Sequence, residues 1–125
     1  MKATPSSTSF NKSLANLLIL RGLEADKANI DGLSESHLYP SWVPPGGAFT
    51  CWSHPKPFCQ YDKSAVLLSN SQSPVPILER VVSKAWSMFA SRAYIHQYLK
   101  HGLEEEDFMD SFACLEQVLS SYKHL

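Results

Sequence analysis

The chain changes character at Ser73-Pro74-Val75-Pro76, and that boundary constrains the fold more than any other feature. Upstream, Pro40, Pro44, Pro45, Gly46 and Gly47, then Pro55 and Pro57, cut the sequence into pieces too short for long helices. Downstream, apolar residues recur at spacings of three and four almost to the last residue. Short strand-like segments followed by gathered helices predict an α+β fold.

Met1 to Phe10 (MKATPSSTSF) is Ser/Thr/Pro-rich and reads as a disordered end, residues 1–10. Ser13 to Arg21 (SLANLLILR) is almost continuously apolar and stops at Gly22, which predicts a strand buried on both faces. Leu23, Ile30 and Leu33 are spaced for a short surface helix, weakened by Gly32. Ser34 to Gly47 is a loop by its breakers. Ala48 to Trp52 (AFTCW) alternates β-prone residues and predicts a strand. After a connection over Ser53 to Asp62, Lys63 to Ser69 (KSAVLLS) is a second buried-strand candidate, ended by Asn70-Ser71-Gln72.

From Ile77 to Leu99 the spacing predicts one long amphipathic helix. Ile77, Val81, Ala85 and Met88, with Leu78, Val82, Trp86 and Phe89, make a broad apolar face that must bury against something. Ser73 is its expected cap, with proline tolerated in the first turn. His101-Gly102 punctuates the chain, and Glu104 to Asp107 open a last helix whose acids complement the macrodipole. Phe108, Phe112, Leu115, Leu119 and Tyr122 form one stripe along it. The expected architecture is therefore a partial mixed β-sheet of about three strands with a short helix over residues 11–72, followed by an antiparallel helical hairpin over 73–125.

The 125 residues carry 11 Lys+Arg against 12 Asp+Glu, a formal charge of −1, which gives no whole-chain grip on nucleic acid or anionic lipid. Neither nucleic acid nor membrane is an expected partner. The longest apolar run, Leu17 to Leu20, falls far short of the about 20 residues that span a bilayer. No apolar stretch follows Met1-Lys2, and the three cysteines are an odd set, so the chain reads as soluble and intracellular.

Candidate chemistry is sparse. Cys51, His54 and Cys59 stand as C-x2-H-x4-C, but a closed zinc site needs a fourth ligand, and none lies at suitable spacing. Buried or semi-buried thiols are the plainer reading. His96, between Tyr94 and Tyr98, reads as a half-buried packing residue at a helix bend and not as a titrating switch. No glycine-rich phosphate loop occurs. No catalytic, cofactor-binding or metal residue is thus expected. Glu104, Glu105, Glu106, Asp107 and Asp110 put five negatives in seven residues, a docking site for a basic partner or a solvated helix start. Solvated, each such contact is worth below about 1 kcal/mol.

Several segments resemble one family. Lys63 to Ser71 (KSAVLLSNS) is similar to the tubulin strand that ends in a Gly/Ser-Asn-Ser turn before a helix. Leu17 to Gly22 (LLILRG) and Tyr39-Pro40-Ser41-Trp42-Val43-Pro44 resemble the strand and Trp-x-Pro loop of the same domain. Val81 to Phe89 with ASRAYIHQY, then Gly102-Leu103-Glu104-Glu105-Glu106-Asp107-Phe108, resemble the run into the last tubulin helix. FNKSLANLLILRG, KAWSMFASRAYIHQY and EEEDFMDSF look most like the delta branch of that family. The resemblance is collinear from about Phe10 to the end.

It implies the later part of the tubulin intermediate domain and the C-terminal helical hairpin, with the N-terminal GTPase domain missing. GTP then belongs to the full-length family. No cofactor and no enzymatic activity are expected of this chain. The implied partners are other tubulin subunits and centriolar or microtubule-associated proteins. The implied setting is cytoplasmic cytoskeleton: centrosome and centriole, triplet microtubules, and the basal body of the cilium. The rival expectation is an independent adaptor whose hairpin binds a partner helix. Standing alone, three strands would leave an open edge, and a marginal product that oligomerises or needs a partner is expected.

Overall fold

The computed structural model describes residues 11–44 and 46–125. The first ten residues, with the expected disordered end, and Pro45 lie outside the described residues. The structure falls into two compact units, one ending at Gln72 and one running Ser73–Leu125.

The first unit is a mixed three-stranded sheet of β1 (Ser13–Gly22), β2 (Phe49–His54) and β3 (Lys63–Ser71), in the order β2-β1-β3. β1 runs parallel to β2 and antiparallel to β3. Parallel neighbours require a long crossover, and the breaker-rich stretch between β1 and β2 supplies it. The register puts Leu18 between Cys51 and Leu67, and Ile19 between Trp52 and Val66. Because side chains alternate across a strand, Asn16, Leu18 and Leu20 are buried on one face while Leu17 and Ile19 are half-buried on the other.

Gly22 closes β1 for a steric reason. Its φ is +107°, and a Cβ there would lie 1.9 Å from the Asp62 carbonyl oxygen. That oxygen accepts the Leu23 amide at 3.0 Å. Only glycine suits both the backbone and the space.

Three expectations need correction. The short helix over Leu23 to Leu33 does not form; isolated 3-10 turns occupy Ala25–Lys27, Asp31–Leu33 and Ser36–Leu38. Glu24 sits at φ 57°, and the Asn29 side chain takes the Asp31 amide at 3.0 Å, so the local backbone bonds compete with a helix. The second buried strand is not buried. β3 is an outer strand whose Val66, Leu67 and Leu68 are 52%, 46% and 56% exposed. An apolar run reports the capacity for burial, but a covering layer has to supply it. The long helix is also broken, as α1 (Val75–Ala90) and α2 (Ile95–Leu99). Arg92 (φ 58°) and Tyr94 (φ 61°) take left-handed backbone between them. The residue at the N-cap position is Pro74, not Ser73, and its carbonyl accepts the amides of Ile77 and Leu78.

The second unit completes itself with α3 (Glu105–Lys123). Val75 and Val82 of α1 bury against Phe112 and Leu119 of α3, with Phe89, Phe108 and Tyr122 packed alongside. Phe89 stacks on Phe108 at 5.4 Å, and Trp86 meets Phe112 edge-on at 4.9 Å. Glu79, early in α1, pairs with Lys123 at the end of α3. These contacts make the pair antiparallel. Only part of the broad α1 face is used: Ile77, Val81, Ala85 and Met88, expected to bury, are exposed. Leu115 also departs from its stripe and is exposed.

Candidate interaction surface

The best-defined polar arrangement in the helical unit is built at the start of α3. Ser91 and Arg92 end α1 by donating their amides to Ser87 O and Phe89 O, and Ala93 N reaches Met88 O at 3.0 Å. Those bonds satisfy the last carbonyls of the helix. They also present the Arg92 guanidinium to Glu105, with Nη1 to Oε2 at 3.3 Å and a second, closer contact to Oε1. The Glu105 carboxylate holds Arg92 above its ordinary value, first through the hydrogen bond and then through its charge.

The expected partner-contact acids divide by role. Glu104 and Asp107 form a reciprocal capping box, in which Asp107 Oδ2 accepts the Glu104 amide at 2.7 Å. Glu105 faces Arg92. Glu106 and Asp110 are exposed. Sequence reasoning missed the Arg92–Glu105 pair, since the two stand thirteen positions apart. The Glu-x-x-Asp spacing was a readable signal for the capping box.

An apolar strip runs along α1. Ile77, Val81 and Met88 lie at helical positions that share one side of α1, and all are exposed. A separate groove between α1 and α3 is lined by Glu79, Val82, Trp86, Leu119, Lys123 and His124. The surface of this unit therefore combines hydrophobic strips with an acidic helix start, a chemistry suited to protein contacts.

The remaining candidates are dispersed. Cys51 is half-buried, but Cys59 and Cys114 are exposed, so the semi-buried reading holds for Cys51 and fails for Cys59. Cys59 sits at φ 55° in the loop between β2 and β3. His54 Nδ1 accepts the Lys56 amide at 3.0 Å. Among the described residues, no three His, Cys, Asp or Glu side chains converge as metal ligands. His96 lies at the bend as expected but is exposed, not half-buried, while its neighbour Ile95 is buried.

No family profile matches the chain. Curated proteins do. The tubulin delta chain of Homo sapiens is 55% identical over 116 residues, covering 93% of this chain and 26% of that protein. The Mus musculus delta chain is 54% identical over the same span. This chain is related to the tubulins. A tubulin alpha-6 chain of Naegleria pringsheimi is 29% identical over 68 residues, 54% of this chain. The tubulin resemblance carried by the motifs, including the likeness to the delta branch, is borne out by these identities. The chain spans about a quarter of the length of the delta chains it matches.

Proposed function

We propose that this chain is a tubulin-like cytoskeletal structural protein that works through protein contacts made by its helical unit. The observation that carries the reading is the 55% identity over 116 residues to a delta chain. Its setting, in this reading, is the centriole, the basal body and the triplet microtubules of cilia. Other tubulin subunits and centriolar or microtubule-associated proteins are the partners. Glu106 and Asp110 are the free polar contacts, since Glu104, Asp107 and Glu105 are engaged in the cap and the ion pair. The exposed strip of Ile77, Val81 and Met88 on α1 supplies apolar area in the same unit.

Nucleotide binding is not part of the proposed role. A phosphate site needs a loop of backbone N–H groups, and the sequence holds no glycine-rich loop of that kind. GTP in the full-length family would then be held by residues other than these. Titration calorimetry with GTP and magnesium is the direct check, and saturable micromolar binding would overturn this point.

Co-sedimentation of the chain with purified tubulin tests the main reading, with fluorescent tagging in centriole-bearing cells as its companion. Enrichment in the tubulin pellet and at centrioles supports it. A chain that stays in the supernatant and is diffuse in cells would favour the adaptor alternative. That alternative draws on the same exposed apolar strip, which fits a partner helix.

A further inference from the structure

The joint between α1 and α2 is built against local preference. From Ile77 to His101 the sequence has no glycine or proline, and its spacing suits one continuous helix. The structure instead bends the chain through Arg92 at φ 58° and Tyr94 at φ 61°, left-handed backbone that is strained for any residue with a Cβ. In return the bend makes contacts on α3. Phe89 and Tyr98 stand nine positions apart, and an unbroken helix would place them on opposite sides. Here both rings meet Phe108, Phe89 stacked and Tyr98 edge-on, each at 5.4 Å. Ile95 is buried as well. An unbroken helix would bring His96, not Tyr98, next into the row of Val75, Val82 and Phe89 that packs toward α3.

We infer that the Arg92–Glu105 ion pair is the latch of a two-state joint in the helical unit. Closed, it holds Arg92 in left-handed backbone and keeps Tyr98 on Phe108. Open, Arg92 and Tyr94 return to right-handed backbone, α1 runs on into α2 as one helix, and Tyr98 leaves Phe108. Both states satisfy the backbone. In the closed one Arg92 N donates to Phe89 O at 2.8 Å and Ala93 N to Met88 O at 3.0 Å; ordinary helical bonds replace these in the open one. The open state is also within reach of the chain. It lengthens α1 past Arg92 by about 10 Å, and the five residues Lys100 to Glu104 can span about 16 Å when extended.

Left-handed strain favours the open state, and the contacts of Tyr98 and Ile95 favour the closed one. With those terms opposed, a modest ion pair is enough to decide. The geometry suits Glu105 to that part: the Arg92 guanidinium meets both of its carboxylate oxygens, which fixes orientation as well as distance. The capping box of Glu104 and Asp107 holds the first turn of α3 in place around it. Both partners are exposed, so salt and competing charges reach them. A ligand shifts such a balance only by preferring one state, and a basic segment that takes Glu105 from Arg92 prefers the open one. All of these contacts lie inside the helical unit, and the joint does not depend on the proposed cytoskeletal role.

The test is NMR on the full chain. The ring-to-ring Overhauser effect between Tyr98 and Phe108 reads the closed state, and the amide–Hα couplings of Arg92 and Tyr94 tell left-handed from right-handed backbone. Glu105→Gln removes the charge and leaves the capping box intact. It should raise the open-to-closed ratio about three- to fivefold, the size expected of a good exposed pair, while the Phe89–Phe108 effect persists. Tyr94→Gly, for which left-handed backbone is free of strain, should restore the closed state in the Glu105→Gln background. Should Glu105→Gln fail to fold, the parent in about 1 M NaCl, where the screening length is about 3 Å, should show the same shift. A folded Glu105→Gln with unchanged couplings and Tyr98–Phe108 effect overturns the inference. So does loss of the Phe89–Phe108 effect together with that of Tyr98, which is unfolding and not switching, or a Tyr94→Gly that restores nothing.

Discussion

The Asn16 side-chain amide donates to the Tyr39 hydroxyl at 3.0 Å, with only 6% and 8% of the two residues exposed. The hydroxyl in turn donates to the Leu33 carbonyl at 2.7 Å. This relay fastens the irregular crossover to the central strand. Asn16 Oδ1 is buried and has no hydrogen-bond partner among the described residues. Tyr39→Phe should therefore cost about 1–3 kcal/mol, since it also strands the amide nitrogen. Adding Asn16→Leu to Tyr39→Phe should recover part of that loss, because an apolar pair leaves nothing to satisfy. Urea unfolding of the three variants beside the parent measures both steps. A double variant weaker than Tyr39→Phe alone would speak against the relay.

Gly22→Ala should destabilise the sheet unit by more than about 1 kcal/mol, the level at which backbone incompatibility outweighs the gain in unfolded-state entropy. The cause is twofold: φ of +107° and a Cβ that would overlap the Asp62 carbonyl. Gly32→Ala is the control, since nothing lies within 4 Å of a Cβ there. Equal unfolding midpoints for the two variants would remove the steric account.

In the helical unit, Phe112→Ala should cost about 3–5 kcal/mol, the range for removing a buried aromatic side chain. Phe112 is buried and touches both Trp86 and Phe89. Leu115→Ala, one turn away but exposed, should cost far less. Thermal melting followed at 222 nm separates them, and similar midpoints would mean that the two helices do not pack through Phe112.

Glu24 supplies a pH dependence. Hydrogen bonds from Lys63 and then Lys27 hold its carboxyl below the ordinary value of 4.5. A depressed carboxyl contributes stability that is fully present above the unfolded value and lost as pH falls through the lower folded value. The Glu24–Lys63 pair at 3.2 Å should thus persist through neutral pH and open only on acidification below about pH 4.5. Because the pair is exposed, salt should weaken it. A carboxyl NMR titration of Glu24 that moves up toward 4.5 on Lys63→Met would verify the cause, and an unchanged midpoint would refute it.

Much of the candidate surface was readable from local pattern. The acidic opening of α3, the Phe108–Phe112–Leu119–Tyr122 stripe and the turn at His101-Gly102 all rest on neighbours within one or two helical turns. The break between α1 and α2 was not readable. Arg92 and Tyr94 are ordinary residues forced into left-handed backbone, and no glycine or proline marks the place. Their conformation is repaid by the capped carbonyls of α1 and by the ion pair to Glu105, a partner distant in sequence.

By itself the sequence determined the α+β class, the two strand-bearing apolar runs, the change of character at Ser73 and the family likeness. Periodicity and breakers act over a few residues, and identity needs no coordinates at all. Tertiary structure alone decided that β1 would stand between β2 and β3, that Tyr39 would reach Asn16, and that Val82 would be buried while Val81 was left in solvent. The physical reason is that an apolar side chain encodes only a preference to leave water. Which of two adjacent apolar rows is covered depends on where a second element, far along the chain, comes to rest.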